Sequence, residues 1–390
     1  MAKRTVTPVV LSLLLLSFSS LAALCFLQPV PMVDVLVYRA EGEAVVHGGD
    51  LYGFTVTEWR LPATYPPFAA VLFVPTTWIP VPVLKATFLA GNALLLAAFT
   101  TLSARLAGRT VRAPLLCTAT ALALWLEPVF QTLLFGQINL AVACLVLWDL
   151  TRRPGARGRG VALGVAAGIK LTPVVFVVYL FLTGRRREAG TAMATCAATT
   201  ALGAVLLPSA SADFWTRRLY ETGRVGKAWI IDNQSLQGLV ARALRDPAPG
   251  VAWALPAAAI AAGGLWLAVH TKDDRHGILV TAATALLVSP ISWSHHWVWC
   301  VPLLAVLLAD GHMRLAALTA ALFTARTMWL LPHEGDRDLH FPWWQQPLAS
   351  PYPIYALALL TTAALHARSV TGMPEDASVG VPVTGVGGRH

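Results

Sequence analysis

The strongest constraint on this chain is repeated along its length, because apolar runs long enough to cross a bilayer recur from one end to the other. A hydrocarbon core of about 30 Å needs roughly 20 apolar residues in a helix, and only helices or closed barrels satisfy their backbone there. Of the 390 residues, 56% are hydrophobic and 13% are charged. The sequence therefore predicts an all-α membrane protein and excludes a water-soluble globular domain.

Basic residues indicate the orientation of this membrane domain. The net charge is +9, but positive charge between spans gathers on the cytoplasmic side, which discounts nucleic acid as a partner. Lys3 and Arg4 place the N-terminus there, ahead of a first helix at Pro8–Gln28 that is retained rather than cleaved as a signal peptide. We expect about twelve spans with both termini cytoplasmic, a membrane domain at 1–369 and a disordered cytoplasmic tail at 370–390. The arginine-rich turns contain Arg105, Arg109 and Arg112; Arg152, Arg153, Arg157 and Arg159; and Arg185, Arg186 and Arg187.

Prolines divide the region after the first loop. Phe68–Pro80 is interrupted by two prolines and is expected to form an interfacial or re-entrant helix, since proline ends helices. A crossing is expected at Val83–Ser103. The next two spans are expected at Pro114–Phe130 and Ile138–Leu150, with an outer connection at Glu127–Asn139.

The apolar stretch Val161–Thr183 is basic at both of its ends. The positive-inside bias therefore favours two short helices that rise and return, with the sequence GIKLTP at the apex. Gly168 and Pro173 make the break and place Lys170 on the outer side. The alternative is a single helix with a snorkelling lysine, which would invert every later span.

In this topology the unusual polar motifs all reach the outer face. A channel needs polar residues through the membrane, so the pattern favours an enzyme at the membrane surface. The five cysteines lie in or beside apolar segments without metal-ligand spacing and are interpreted as packing residues. No metal and no cofactor are expected.

Asp34, a few residues past the first span, has the chemistry of a general base that deprotonates an acceptor hydroxyl. A lone acid at this place also fits a helix cap or a solvated residue. Cationic side chains suit an anionic leaving group such as a lipid-linked phosphate, although they also suit anchoring to lipid headgroups. These cations are Lys170, Arg217, Arg218 and Arg224.

The sequence SWSHHWVW places His295 and His296 among tryptophans, where they suit hydrogen bonds to a sugar or its phosphate, or simply an aromatic belt. Tyr65, in TYPPF, suits stacking on a sugar face. Neutral amides and a hydroxyl offer the donors and acceptors that sugar hydroxyls need. These neutral candidates are Gln137, Asn139, Asn233, Gln234 and Ser235.

In this order the motifs resemble the GT-C integral-membrane glycosyltransferases, and more closely glycosyltransferase family 87, the polyprenol-phosphate-mannose-dependent mannosyltransferases of actinobacteria. The resemblance spans nearly the whole chain except the Trp329–Ser350 loop and the tail. The segments that carry it are VDVLVY (Val33–Tyr38), GGDLY (Gly48–Tyr52), LPATYPPFAAVLF (Leu61–Phe73), WLEPV, FGQIN, AAGIKLTP (Ala166–Pro173), GRVG, NQS and VSPISWSHHWVW (Val288–Trp299).

This resemblance implies a GT-C fold and inverting transfer of mannose from polyprenyl-phosphate-mannose to a lipid-linked glycan at the outer face of the plasma membrane. It implies that Asp34 is the base, that Lys170 and the pair His295–His296 contact phosphate or sugar, and that no metal is required. We also expect a monomer. Many GT-C enzymes have two adjacent acidic residues where this chain has Asp34 alone. Two alternatives use the same chemistry: another polyprenyl-phosphate sugar donor such as arabinofuranose, or a protein acceptor. A lipid-linked-sugar flippase, which predicts inverted repeats, is an alternative of a different class.

Overall fold

The structure is a computed structural model that describes residues 2–27, 32–271, 273–333 and 335–371. The first half of the described chain is helical and its helices vary widely in length. They are α1 (Ala2–Leu27), α2 (Val33–His47), α3 (Pro67–Phe73), a 3-10 helix (Val74–Trp78), α4 (Val81–Leu106), α5 (Ala113–Ala123), α6 (Glu127–Phe135), α7 (Asn139–Leu150), α8 (Val161–Ile169) and α9 (Val174–Leu182).

The second half continues the pattern, and among the described residues the only β-structure is two isolated bridges, Val56–Leu61 and Asn233–Trp293. The α-helices are α10 (Arg186–Leu206), α11 (Pro208–Asp213), α12 (Leu236–Leu244), α13 (Gly250–His270), α14 (Asp274–Val288), α15 (Cys300–Ala309), α16 (Met313–Ala325), α17 (Gln346–Ala349) and α18 (Pro351–Thr371). Shorter helical turns are Phe214–Arg218 (a π-helix) and the 3-10 helices Thr222–Arg224, Ser294–Trp299, Thr327–Leu330, Arg337–His340 and Trp343–Gln345.

The all-α prediction is confirmed, but the described helices are shorter than a chain of full-length spans requires. Three of them are long and apolar enough to cross a membrane alone, namely α4, α10 and α13. Two bent pairs raise the number to five if each pair is one span. The expected count of twelve spans therefore stays a prediction. The expected tail at 370–390 lies outside the described residues, except for residues 370 and 371, which form the end of α18.

The predicted boundaries were right around α4 and wrong just after it. The crossing expected at Val83–Ser103 is α4, and α3 with its 3-10 turn forms the separate short helix expected before it. The span expected at Pro114–Phe130 is instead α5 and α6, bent by 78°. Leu126 is extended and Pro128 lies in the first turn of α6, where a missing N–H is tolerated. The connection expected at Glu127–Asn139 is accordingly mostly helix.

The stretch predicted to rise and return does form two helices, α8 and α9, of nine residues each. A stripe of glycines along α8 packs against α10: a Cβ on Gly160, Gly164 or Gly168 would collide with Glu188, Ala192 or Thr199 in turn. Small residues four apart allow such close helix packing. Because the contacting residue numbers rise together along both helices, α8 and α10 are parallel. The connecting helix α9 therefore runs in the opposite direction.

The break at the apex of this hairpin lies below the end of α10. Gly168 abuts Thr199, seven residues before the end of α10 at Leu206. At 1.5 Å per residue this is about 10 Å. The Lys170 segment is therefore recessed relative to the end of the neighbouring long helix.

The arginine-rich turns meet at one end of the molecule, called here the arginine end. The opposite end, which holds the break at Lys170, is called the apex end. This shared end agrees with the charge pattern from which the turns were assigned to one side. The joining contacts are Arg109 Nη2–Ala309 O (3.1 Å), Arg275–Asp310 (2.8 Å), Arg185–Asp274 (2.8 Å) and Arg159–Glu188 (3.1 Å).

Candidate active site

Asp34 lies in the first turn of α2, on a surface formed by the turn between α6 and α7. The N–H of Met32 donates to Leu134 O at 2.7 Å and fixes the start of the helix. Gly136 in the turn has φ of +70°, and a Cβ there would collide with Val35. Only glycine meets both demands easily, so the FGQIN sequence brings Gln137 against the first turn of α2.

The amide of Gln137 is oriented by two tyrosines and faces the Asp34 carboxylate. Its Oε1 accepts hydrogen bonds from Tyr38 at 2.8 Å and Tyr65 at 3.2 Å. The amide NH₂ is therefore the group left to donate to Asp34, which hydrogen-bonds Gln137. Gln137 thus positions the Asp34 carboxylate, and the two tyrosines position Gln137.

The pKa of Asp34 is raised to about 7, and α2 is outside the candidate spans. Burial, which disfavours the charged form, is the largest cause. The hydrogen bond from Gln137 and the positive charge of Lys170 oppose it, while the negative charge of Asp232 adds to it. A carboxylate with a pKa near neutrality is suited to general-base chemistry.

Lys170 joins the hairpin apex to two other segments. Its Nζ lies 3.0 Å from Asn139 Oδ1 and 3.0 Å from His296 Nε2, and 5.5 Å from the centre of the Tyr65 ring. A charged ammonium can only donate, so His296 Nε2 accepts and the ring is neutral with its proton on Nδ1. Asn139 uses its other end to donate to His295 O at 3.1 Å.

A cavity of about 570 Å³, open at its mouth, extends from this lysine. Lys170, Asn139 and His296 form its polar end, and much of the remaining wall is apolar, including Phe176 and Leu286. Asp34 is close enough to Lys170 to be affected by its charge but does not line the cavity. Lys170 thus lies between the carboxylate and an amphipathic cavity.

His295 is buried and packs edge-on against Phe135 and His296, with ring centres 5.5 and 4.9 Å apart. Among the described residues, neither of its ring nitrogens has a hydrogen-bond partner. Its backbone carbonyl instead accepts from Asn139 and Thr132. His296 therefore contacts Lys170 directly, whereas His295 presents an unpartnered imidazole beside it.

Arg224 lies on the other side of the tyrosines. It donates to Ala63 O at 2.6 Å and lies over the Tyr52 ring, 5.5 Å from its centre. Tyr52 in turn donates to Tyr65 O at 2.8 Å. Arg224 is thus placed beside Tyr65 but is not brought to Lys170, and the other two loop arginines form ion pairs within their own segment. Those pairs are Arg217–Asp213, Arg217–Glu221, Arg218–Asp213 and Arg218–Glu221.

The NQS segment is not exposed to a ligand in this structure, because Asn233, Gln234 and Ser235 are fully buried. Their side chains hold neighbouring backbone: Asn233 and Ser235 both donate to Pro290 O, and Gln234 donates to Ala349 O. Together they fix the segment before the histidine pair. The structure therefore brings Asp34, Tyr65, Gln137, Asn139, Lys170 and His296 together and leaves these three as supports.

Comparison with known proteins identifies the family of this chain. The model of glycosyltransferase family 87 matches residues 63–290. The chain belongs to glycosyltransferase family 87. The matched region contains Lys170 and Gln137 but begins after Asp34 and ends before His295.

Curated relatives extend the match over most of the chain. A polyprenol-phosphate-mannose-dependent α-(1-2)-phosphatidylinositol mannoside mannosyltransferase of Mycobacterium tuberculosis is 33% identical over 85% of this chain and 84% of its own length. A protein of the same description from Mycolicibacterium smegmatis is 33% identical over 87% and 85%. A pentamannoside mannosyltransferase of M. smegmatis is 35% identical over 79% and 77%. No solved structure matches the chain.

Two carboxylates beside this family 87 site were missed by the sequence reasoning. Asp232 accepts the N–H of Ser294 at 3.0 Å and adds negative charge near Asp34. Glu127 is fully buried and accepts from Trp329 at 2.8 Å and Tyr352 at 2.7 Å. Asp232 directly precedes the NQS motif, so an acid next to a polar motif was the available signal. Nothing local to Glu127 indicated its distant partners.

No metal site was found in the searched part of the chain. Among the described residues, no group of three or more His, Cys, Asp or Glu side chains is arranged to hold an ion. The expectation that the reaction needs no metal stays a prediction.

Proposed function

We propose that this family 87 glycosyltransferase transfers mannose from polyprenyl-phosphate-mannose to a phosphatidylinositol-mannoside-type acceptor and forms an α-(1-2) linkage. The activities for which the two mycobacterial relatives are named support the donor, acceptor and linkage. The observation that carries the site assignment is the position of Lys170 between Asp34 and an amphipathic cavity. A prenyl-phosphate donor has the same polarity, a charged phosphate joined to an apolar chain.

In this proposal the donor phosphate lies at the polar end of the cavity. Lys170 stabilises the charge that develops on the phosphate as it leaves, because charge-assisted hydrogen bonds strengthen toward the transition state. Asn139 and His296 hold its ammonium from two sides. The prenyl chain follows the apolar wall that includes Phe176 and Leu286.

The acceptor hydroxyl attacks the anomeric carbon of mannose from the face opposite the phosphate. The bond from that carbon to the phosphate oxygen breaks as the bond to the acceptor oxygen forms, and the hydroxyl proton passes to Asp34. The leaving group is polyprenyl phosphate. A single displacement inverts the anomeric configuration, so a β-linked donor gives an α-mannoside.

For the topology, we propose about twelve spans with both termini cytoplasmic, the arginine end in the cytoplasm and the apex end at the outer face of the plasma membrane. The shared position of the arginine-rich turns supports this orientation. We also propose that the enzyme acts as a monomer. Cysteine labelling at Thr172, which is exposed at the apex, tests the side of the membrane; labelling only from the cytoplasm would overturn it.

The decisive experiment measures transfer of labelled mannose from polyprenyl-phosphate-mannose in membranes that contain the full chain. Asp34→Asn should lower transfer about 10²- to 10⁴-fold, the usual contribution of a positioned general base. Glu43→Gln is the matched control, since Glu43 lies on the same helix and pairs with Arg39. Equal transfer by Asp34→Asn and the control would refute the base assignment. If the wild-type chain uses only another polyprenyl-phosphate sugar, the donor is wrong and the site assignment stands.

A further inference from the structure

A second cavity lies at the arginine end, at the foot of the hairpin. Its volume is about 540 Å³, counting its open mouth. The lining includes four consecutive residues, Arg185 to Glu188, together with Arg159 from the turn before α8. The hairpin separates this cavity from Lys170, so it is distinct from the site of the proposed transfer reaction.

The arginines of this cavity divide into paired and unpaired ones. Arg159 pairs with Glu188 at 3.1 Å, and Arg185 pairs with Asp274 at 2.8 Å. Arg186 and Arg187 are exposed, and within the described part of the chain neither has a carboxylate partner. Two positive charges at the mouth are therefore left for an anion.

The beginning of α10 adds to this preference. The helix starts at Arg186, so its first N–H groups and the positive end of its dipole point into the cavity mouth. Glu188, which lines the cavity, is 8% exposed. Its Oε1 accepts from Arg159, but its Oε2 is enclosed and has no hydrogen-bond partner in the part of the chain that the structure describes. A ligand that carries a hydroxyl donor as well as an anionic group would satisfy this unpaired oxygen of Glu188.

Apolar surface borders the same mouth. Phe181 and Leu182, at the end of α9, are 57% and 47% exposed, and Arg186 lies over the Phe181 ring, 5.9 Å from its centre. Free phosphate gains nothing from contact with an apolar surface, whereas the acyl chains of a lipid pack favourably against it. Basic pockets between membrane helices commonly bind anionic headgroups.

We propose that the cavity formed by Arg159 and Arg185–Glu188 binds an anionic phospholipid with a hydroxylated headgroup. The phosphate is held by Arg186, Arg187 and the first N–H groups of α10, and a headgroup hydroxyl donates to Glu188 Oε2. The bound lipid ties the foot of the hairpin to α10. This site does not depend on the sugar or acceptor that the enzyme uses.

The test is native mass spectrometry of the full chain in detergent, titrated with phosphatidylglycerol. Phosphatidylglycerol is preferred to phosphatidylinositol, which resembles the proposed acceptor. The variant Arg186→Gln/Arg187→Gln should weaken binding roughly 30-fold, from the loss of two basic side chains at the membrane surface. The control Arg112→Gln/Arg314→Gln removes the same charge from exposed positions of the arginine end and should leave binding unchanged.

Three further titrations identify the ligand chemistry. Phosphatidylcholine should not bind, and phosphatidylmethanol, a phosphodiester of the same charge as phosphatidylglycerol, should bind more weakly because its headgroup lacks the hydroxyl. Inorganic phosphate should not displace the lipid. Equal loss in both double variants would reduce the effect to net charge and overturn the site. Displacement by phosphate would overturn the lipid assignment, and equal binding of phosphatidylmethanol would overturn the role of Glu188. Both double variants should keep mannose transfer at saturating donor.

Discussion

Replacing Gln137 by leucine should move the pH dependence of transfer without removing any reacting group. Gln137 donates to the Asp34 carboxylate, and this hydrogen bond lowers the pKa that burial has raised. The substitution removes the donor and makes the surroundings of the carboxylate more apolar, and both changes disfavour the ionised form. Tyr38 and Tyr65 lose their shared acceptor but lie 3.4 Å from each other, hydroxyl to hydroxyl, and can pair.

The expected size follows from the strength of the lost hydrogen bond. A hydrogen bond to a charged group contributes about 1.5–3 kcal/mol, which corresponds to about 1–2 pKa units. The Asp34 pKa is about 7 in the native site, so about half of the carboxylate is ionised at pH 7. A rise of that size leaves about 1–10% ionised at pH 7 and lowers kcat/KM there roughly 5- to 50-fold.

The direction in which the pH profile shifts depends on which form of Asp34 acts as a base. Only the ionised carboxylate accepts the proton, so activity is lost as the pH falls through the pKa and is restored as the pH rises. The acidic limb of the kcat/KM profile should therefore be displaced upward by about 1–2 units in the variant. The measurement is mannose transfer between pH 5.5 and 9 at limiting donor.

Gln131→Leu provides the matched control. Gln131 is a half-buried glutamine of α6 whose Oε1 has no hydrogen-bond partner within the described ranges, so its loss should leave the acidic limb unchanged. An unchanged limb in Gln137→Leu, with activity reduced equally at every pH, would show that Gln137 acts on substrate rather than on the Asp34 pKa. An acidic limb that persists in Asp34→Asn would show that another group is titrating.

Three other substitutions test the supports of the site. Lys170→Met should lower kcat/KM roughly 10- to 150-fold, from a lost charge-assisted contact of about 1.5–3 kcal/mol, and equal rates with the wild type would remove the lysine from donor binding. Gly136→Ala should lower the melting temperature by costing more than about 1 kcal/mol, because its φ is +70° and its Cβ would meet Val35; an unchanged melting temperature would contradict this. Tyr352→Phe should lower the free energy of unfolding by about 1–3 kcal/mol in a denaturation assay by leaving an oxygen of Glu127 unpaired; an unchanged free energy would contradict this.

The hairpin was readable from sequence because two independent signals agreed there. Charge at both ends of Val161–Thr183 required the chain to return to the side from which it started, and the glycine and proline near Lys170 supplied the break. The structure adds the reason for the tight fit, which is the stripe of glycines that allows α8 to approach α10. The spacing of these glycines, at positions 160, 164 and 168, is also visible in the sequence, but the sequence does not show which helix packs against them.

Other features depend on contacts between distant segments and could not be read locally. The bend between α5 and α6 was missed, although Glu127 and Pro128 were visible, because the apolar residues on both sides of them were interpreted as one span. Asn233, Gln234 and Ser235 were expected to bind ligand because they are polar, yet they are buried and hold backbone carbonyls. Composition alone does not separate a polar group that faces a ligand from one that satisfies a buried carbonyl.

Asp34 has no adjacent acidic residue in the sequence, but it has an acidic neighbour in the folded protein. A second carboxylate, Asp232, reaches the same region from a segment almost 200 residues away and repels it, while Lys170 attracts it. Neither influence outweighs burial, and the pKa settles at about 7. An adjacent acid in the sequence is one way to raise the pKa of a catalytic carboxylate; here burial and a distant acid act in the same direction. The basicity of Asp34 is therefore a property of several packed segments: displacing the segments that bury it or that carry Asp232 should lower its pKa, and displacing Gln137 or Lys170 should raise it.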